Sequence, residues 1–255
     1  MKVNIVFAIV FLSSLAVPAQ EKVPIKFDLP KPRFAGTPRA INPKTVNLEP
    51  YPLNKPQPQI LAVPVGSDKL LSRSCKVTAS DDDPIIGELH YVTDGDKTLD
   101  ASTYLELMPG LQWIQIDLGG EKEIHAICIW RIVDDGWGMA FSDEYLVGRV
   151  YRDVIIQISN YSKFAEGVVT IFNNDHDNSA GLGKGRDKEY IESIYGKAFA
   201  VDAVKGRYVR CYSRGNTANE MNHYTEVEVY GRSIERKQQA EADNAEVRKK
   251  KQEAQ

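Results

Sequence analysis

The stretch Asp94-Gly95-Asp96-Lys97-Thr98 sets two carboxylates and a hydroxyl on a glycine-containing turn. Hard cations take roughly six to eight oxygen ligands, so these residue types suit calcium, while a plain solvated turn has the same composition. A second oxygen-rich run, Asn173-Asn174-Asp175-His176-Asp177-Asn178-Ser179-Ala180-Gly181, carries oxygen side chains at alternate positions. It departs from an EF-hand loop, which needs its glycine sixth and a bidentate glutamate twelfth. Counted from Asp175, Gly181 is seventh and Arg186 twelfth. An Asx-stabilised turn is the expected structure, with a second cation site as the alternative. Gly181, Gly183 and Gly185 follow, but no Gly-Lys-Ser/Thr ending and no following helix make them a phosphate loop. Hydrolytic chemistry has little to draw on. There are 4 histidines (His90, His125, His176, His223), no Gly-x-Ser-x-Gly elbow and no His-Glu-x-x-His motif. Acid pairs such as Asp134 and Asp135 are common on surfaces, and a glycosidase needs two carboxylates facing each other across a cleft. The chain reads as a non-enzyme.

The elements that must position these residues read as strands. Residues 113–118 (Trp-Ile-Gln-Ile-Asp-Leu) alternate between polar and aliphatic, which puts Ile114, Ile116 and Leu118 on one face and Trp113, Gln115 and Asp117 on the other. Residues 123–130, 153–159, 206–212 and 224–230 alternate similarly. In them Val209 and Cys211 oppose Tyr208, Arg210 and Tyr212, and Val227 and Val229 oppose Glu226, Glu228 and Tyr230. Gly119-Gly120 and Asn173-Asn174 mark turns. Connections of uneven length with no helical period between strands predict an all-β antiparallel sandwich over residues 67–232.

Outside that region the chain changes character. Met1-Lys2, an apolar run from Val3 to Val17 and the small-residue end Val17-Pro18-Ala19 form a signal peptide, expected to be cleaved after Ala19. That apolar run is shorter than the ~20 residues of a membrane-spanning helix. No later stretch is apolar enough to span, so secretion or periplasmic release is expected. Ten prolines between Pro24 and Pro64 give residues 20–66 the texture of an extended linker, or of a docking strip along the domain. Residues 233–255 are charged helix formers without an apolar stripe, expected as a frayed helix or a disordered tail. The net charge of −3, with signs interspersed, disfavours nucleic acid and anionic membranes as partners. Cys75, Cys128 and Cys211 allow one disulfide or three buried thiols.

Five motifs in order, Thr93-Asp94-Gly95-Asp96, Trp113 to Gly119, Val154 to Ser159, Gly206-Arg207-Tyr208-Val209-Arg210 and Tyr224 to Gly231, resemble the discoidin, or coagulation factor 5/8 C-type, family. The resemblance covers about residues 70–232 and implies a jelly-roll sandwich of the galactose-binding-like type, similar to many carbohydrate-binding modules. It implies a structural calcium held by Asp94, Asp96 and Glu226, with Thr98 standing in for a threonine usually placed slightly later, where this chain has Leu99. It also implies ligand contacts from loops at one end, where an aromatic ring stacks on a sugar while Arg, Asn, Asp and His bond hydroxyls. Two segments supply such residues. Residues 131–149 hold Arg131, Asp134, Asp135, Trp137, Phe141 and Tyr145, and residues 214–223 hold Asn216 and His223. The expected partner is a carbohydrate or cell-surface glycan. The alternative is an extracellular adhesion domain that contacts another envelope protein, helped by the Pro-rich stretch or the tail.

Overall fold

The structure, a computed structural model, describes residues 21–29, 45, 47–50, 58–98, 103–133 and 149–234. The expected signal peptide, the expected charged tail beyond 234, and Asp134, Asp135, Trp137, Phe141 and Tyr145 lie outside the described residues. The described strands are β1 (Lys22–Pro24), β2 (Ala62–Pro64), β3 (Lys69–Leu70), β4 (Lys76–Ala79), β5 (Leu105–Leu107), β6 (Gln112–Trp130), β7 (Ile155–Ser159), β8 (Val169–Asn173), β9 (Lys197–Ser213), β10 (Asn222–Tyr224) and β11 (Glu226–Ser233). A 3-10 turn spans Leu89–Thr93. No described helix is long and apolar enough to cross a membrane.

The fold is an antiparallel sandwich built around one long bent strand pair. β6 and β9 pair from Gln112↔Ser213 to Ile129↔Lys197, with register breaks between Asp117 and Lys122 and between Ile124 and Ala126. Each strand therefore has two arms. The arm holding residues 112–117 carries β4 on β6 and β7 then β8 on β9; the arm holding residues 122–130 carries β11 and then β3. The inward side chains of both arms meet in one cluster: Ile114, Ile116, Ile156, Ile158, Val209 and Cys211 from the first, Ile127, Ile129, Phe199, Val201, Val227 and Val229 from the second. Burying each large aliphatic contributes about 1.5–3 kcal/mol, which fixes the register because a one-residue slip would turn the whole set outward. The turn expected at Gly119-Gly120 is carried within one strand: β6 runs through it unbroken, the two arms fold back on each other there, and Gly119 at φ 74° takes the bend. Opposite the bend, Gly206 of β9 leaves room for Ile158, whose Cγ2 would lie 2.2 Å from an added Cβ.

Sequence alternation predicts an open outer face on β11, but Glu226, Glu228 and Tyr230 are buried there. Two covers explain this. Lys97 reaches in to pair with Glu228 at 2.7 Å and sits 4.9 Å over the Trp130 ring. The second cover is the Pro-rich stretch, so the linker expectation is corrected for its described parts. β1 and β2 pair as a ribbon (Lys22↔Pro64, Val23↔Val63) that buries Ile25 and Val63 against Ala126 and Tyr230. Phe27 stands edge-on to Trp130 and Tyr230, and Leu29 and Leu61 pack over Cys128, Trp130 and Ala198. Pro24 and Pro64 are tolerated because a two-stranded ribbon consists only of edges, where a missing N–H breaks no central ladder. All three cysteines are free thiols, Cys128 and Cys211 buried and Cys75 half-buried.

Candidate functional site

Because β6 and β9 fold back on themselves, the start of β6, the end of β9, the end of β6 and the start of β11 all gather at the end of the sandwich away from the bend. There β5 pairs with β10 (Leu107↔Asn222, Glu106↔His223, Leu105↔Tyr224). The period of two sends Leu105 and Leu107 into the core and leaves Glu106 beside His223. Asn222 bolts this ribbon down: its amide nitrogen donates to the Met108 and Gly110 carbonyls, and its oxygen accepts from Ser213 Oγ and Gly215 N. On the other side, Tyr151 bridges Asn216, Arg152 N donates to the Gly215 carbonyl, Thr217 N donates to the Val150 carbonyl, and Arg214 N donates to the Arg152 carbonyl.

A chain of polar groups runs across this end. His223 Nε2 lies 2.9 Å from Glu106 Oε2 and Nδ1 lies 2.9 Å from Tyr151 Oη. Burial first, then the positive charges of Arg149 and Arg131, lower the His223 pKa to about 3, so the imidazole is neutral at physiological pH. A neutral ring has one donor and one acceptor; with a carboxylate on Nε2, that nitrogen donates and Nδ1 accepts the Tyr151 hydroxyl proton. Burial raises the Tyr151 pKa, so it keeps that proton. Tyr104 stands edge-on to His223 at 5.9 Å, half-exposed, and Glu106 and Arg149 lie close enough to perturb its phenol in opposite directions. Burial raises the Glu106 carboxyl pKa against the pull of Arg149.

Beneath this surface lies Arg131, fully enclosed, with its guanidinium between the rings of Tyr151 (4.5 Å) and Tyr224 (4.3 Å). It donates to Ser213 Oγ, the Tyr212 carbonyl and Tyr224 Oη. Burial works against its charge, but Tyr224, Tyr190 and Glu192 around it outweigh that and raise its pKa. Glu192 Oε1 is 3.8 Å from Arg131 Nε, with both side chains enclosed, and burial lifts the Glu192 carboxyl to about 7 despite Arg131. The backbone N–H of Glu192 donates to the Arg149 carbonyl at 2.8 Å. Arg131 and Arg149 flank residues 134–148 in the sequence.

The sequence-derived residues thus fall into distinct roles. His223 stands beside the half-exposed surface. Arg131 forms its floor. Asn216 spends its side chain inside its own turn, donating to Asn219 Oδ1 and the Met221 carbonyl and accepting from Ala218 N and Asn219 N. Sequence reading missed Tyr104, Glu106, Tyr151 and Glu192. The alternation of Leu105-Glu106-Leu107 was the one local signal; the pairing that brings Glu106 to His223 spans 117 residues.

The expected cation site lies near the same end. Asp94 Oδ1 accepts from Asp96 N, and Asp96 Oδ1 accepts from Thr98 N and Oγ1, so both carboxylates are engaged along the turn. Glu226 ties the turn to β11 by accepting from Gly95 N at 3.0 Å. It is completely buried, its Oε1 has no hydrogen-bond partner, and burial pushes its carboxyl up to about 8. Among the described residues the carboxylates that converge are others: one oxygen each of Asp153, Asp175 and Asp177 lie within 4.8 Å of one another, the last two within the oxygen-rich run 173–181. Arg214 Nε already sits 3.1 Å from Asp153, and Asp175 is engaged by Ser179 N and Ala180 N.

No family model and no curated protein matches the chain. Solved structures do. The chain is similar to the CBM32 module of AlyQ, solved with 4,5-unsaturated mannuronic acid, at 18% identity over 60% of this chain and 92% of that one, with a TM-score of 0.43. It is similar to chitosan-binding module 1 of a chitosanase/glucanase from Paenibacillus sp. IK-5 at 19% identity, 64% and 99% coverage and a TM-score of 0.44. It is also similar to a family 89 glycoside hydrolase from Clostridium perfringens at 20% identity and a TM-score of 0.44, covering 65% of this chain but 15% of that one.

Proposed function

We propose that the chain is an exported, non-catalytic carbohydrate-binding module that holds its glycan at the β5–β10 end of the sandwich. The observation that carries this reading is the half-exposed Tyr104 ring standing beside Glu106, His223 and Arg149. A sugar ring offers an apolar face for an aromatic to stack on and a rim of hydroxyls that both donate and accept. Tyr104 supplies the stacking surface, Glu106 accepts, and Arg149 donates. Their positions are fixed from below by the Arg131 floor and by the Asn222 bolts, so little ordering remains to oppose binding. A neutral His223 and a proton-retaining Tyr151 are not poised for acid–base catalysis, which works best with groups that titrate near the operating pH, and the two carboxyls lifted toward that range, Glu192 and Glu226, are buried.

A structural calcium belongs to the same reading. The residues fit it in part: a buried carboxylate with one unpartnered oxygen is costly unless a proton or a cation meets it, and Glu226 Oε1 is such an oxygen. Glu226 would hold the ion with oxygens of the Asp94–Thr98 turn, and the ion would tie that turn to β11.

The test is thermal unfolding and calorimetric titration with a panel of neutral and uronic-acid oligosaccharides. At about 100 times Kd, a ligand adds roughly 2.7 kcal/mol of stability. At least one oligosaccharide should bind, and Tyr104→Ala should abolish that binding while leaving the unliganded melting temperature within about 3 °C. If no sugar binds, or if Tyr104→Ala binds as tightly as the native chain, the reading is wrong and a protein partner becomes the better account of this end.

A further inference from the structure

The N-terminal stretch does more than cover a sheet face, because one of its anchors reaches the segment that supports the candidate site. Residues 47–50 run beside Glu189 as a parallel bridge. Glu49 N donates to the Glu189 carbonyl at 2.9 Å, Glu189 N donates to the Asn47 carbonyl at 3.0 Å, and Asn47 N donates to Glu189 Oε2 at 2.9 Å. The Glu49 carboxylate takes Lys197 Nζ on both oxygens at 2.7 Å, and that ammonium lies 5.1 Å over the Tyr190 ring. Nearby, Gln59 Oε1 accepts from Ala198 N at 2.6 Å.

Residues 189–192 belong to no strand, so no ladder of their own fixes them. They are held from two sides. One side is residues 47–50. On the other, Glu192 N meets the Arg149 carbonyl, and the enclosed Glu192 carboxylate faces Arg131. Between them Tyr190 packs on Phe172 and Phe199 in the core. A backbone segment with few partners opens locally at low free energy, and each partner removed lowers that energy further.

We infer that residues 47–50 are a positioning element of the glycan site, setting the 189–192 segment so that Glu192 holds Arg131 and the Arg149 backbone in place. This rests on the reading of the β5–β10 end as the ligand surface. The N-terminal stretch is then a working part of the binding module, and changes more than forty residues before the site in sequence alter its affinity through Glu189.

The experiment is hydrogen exchange by mass spectrometry on the full chain, comparing native protein with Glu49→Ala, which loses the Lys197 pair, and Glu49→Pro, which also loses the N–H given to Glu189. Amides of residues 190–192 and 150–152 should exchange at least about tenfold faster in Glu49→Pro, with a smaller change in Glu49→Ala, while peptides 112–117 and 206–213 stay unchanged. Faster exchange confined to residues 47–50 and 189 would overturn the inference, as would unchanged exchange throughout. In parallel, Glu49→Pro should weaken binding of whichever panel oligosaccharide binds the native chain, by about tenfold. If none binds the native chain, the glycan reading fails on its own, and the exchange result still decides whether the strap positions Glu192.

Discussion

His223 is a titratable group with its proton held off by its surroundings, and that has a measurable cost. In the unfolded chain the imidazole gains a proton near its ordinary value of 6.5, but in the folded chain only near 3. Between those values the unfolded state binds more protons, so stability falls as pH is lowered through that window. Glu192 acts in the opposite sense. Its carboxyl is lifted to about 7, so its contribution is present below the ordinary 4.5 and is lost as pH rises toward 7. Removing the histidine isolates its part: between pH 6 and pH 4, His223→Gln should lose less stability than the native chain by on the order of 2 kcal/mol. Urea unfolding at both pH values checks this, and equal losses would mean that the ring is not held neutral. Glu226 is the second case. With its free oxygen replaced by an amide, Glu226→Gln should show no calcium-dependent rise in melting temperature, while the native chain rises and then falls back with chelator. A native chain indifferent to both additions would remove the cation from the reading.

At the level of elements, the bent β6–β9 pair decides the architecture, and its bend depends on small residues. Adding a methyl at Gly206 would press on Ile158 in the core cluster, so Gly206→Ala should cost roughly 1–3 kcal/mol in chemical denaturation. A cost near zero would mean that β7 can shift away from the bend. The arms themselves were legible in the sequence. Ile114, Ile116 and Leu118 alternate because a pleated strand puts every second side chain on the same face, and that rule needs no knowledge of distant residues. The continuity of β6 was not legible: Gly119-Gly120 has turn composition, and only the pairing of both arms with β9 shows that one strand carries on through the turn. The covered outer face of β11 was hidden for the same reason. Lys97 and the β1–β2 ribbon lie more than a hundred residues from Glu228 and Tyr230 in the chain, and alternation in β11 carries no record of them.

For the whole molecule, the fold class could be read from strand patterning, while the candidate site could be read only in its neighbourhood. The segments near residues 131, 149, 216 and 223 do meet at one end, yet the side chains that face outward there include Tyr104, just before β5, and Glu106, within it, beside Arg149, and sequence spacing alone does not select the first two. The inward turn of Arg131 follows from its parity with Ile127 and Ile129, a count available in the sequence once the strand is known to extend that far. The described body also has a polarity. β11 finishes beside the bend, with Ser233 opposite Lys122, and β1 starts over Ala126 and Tyr230 on the same side, while Tyr104 stands at the opposite end. Whatever is joined to residue 234, or precedes residue 21, is therefore moored at the rear of the sandwich. A tether at either place leaves the Tyr104 surface facing outward, with the length of the sandwich added to its reach.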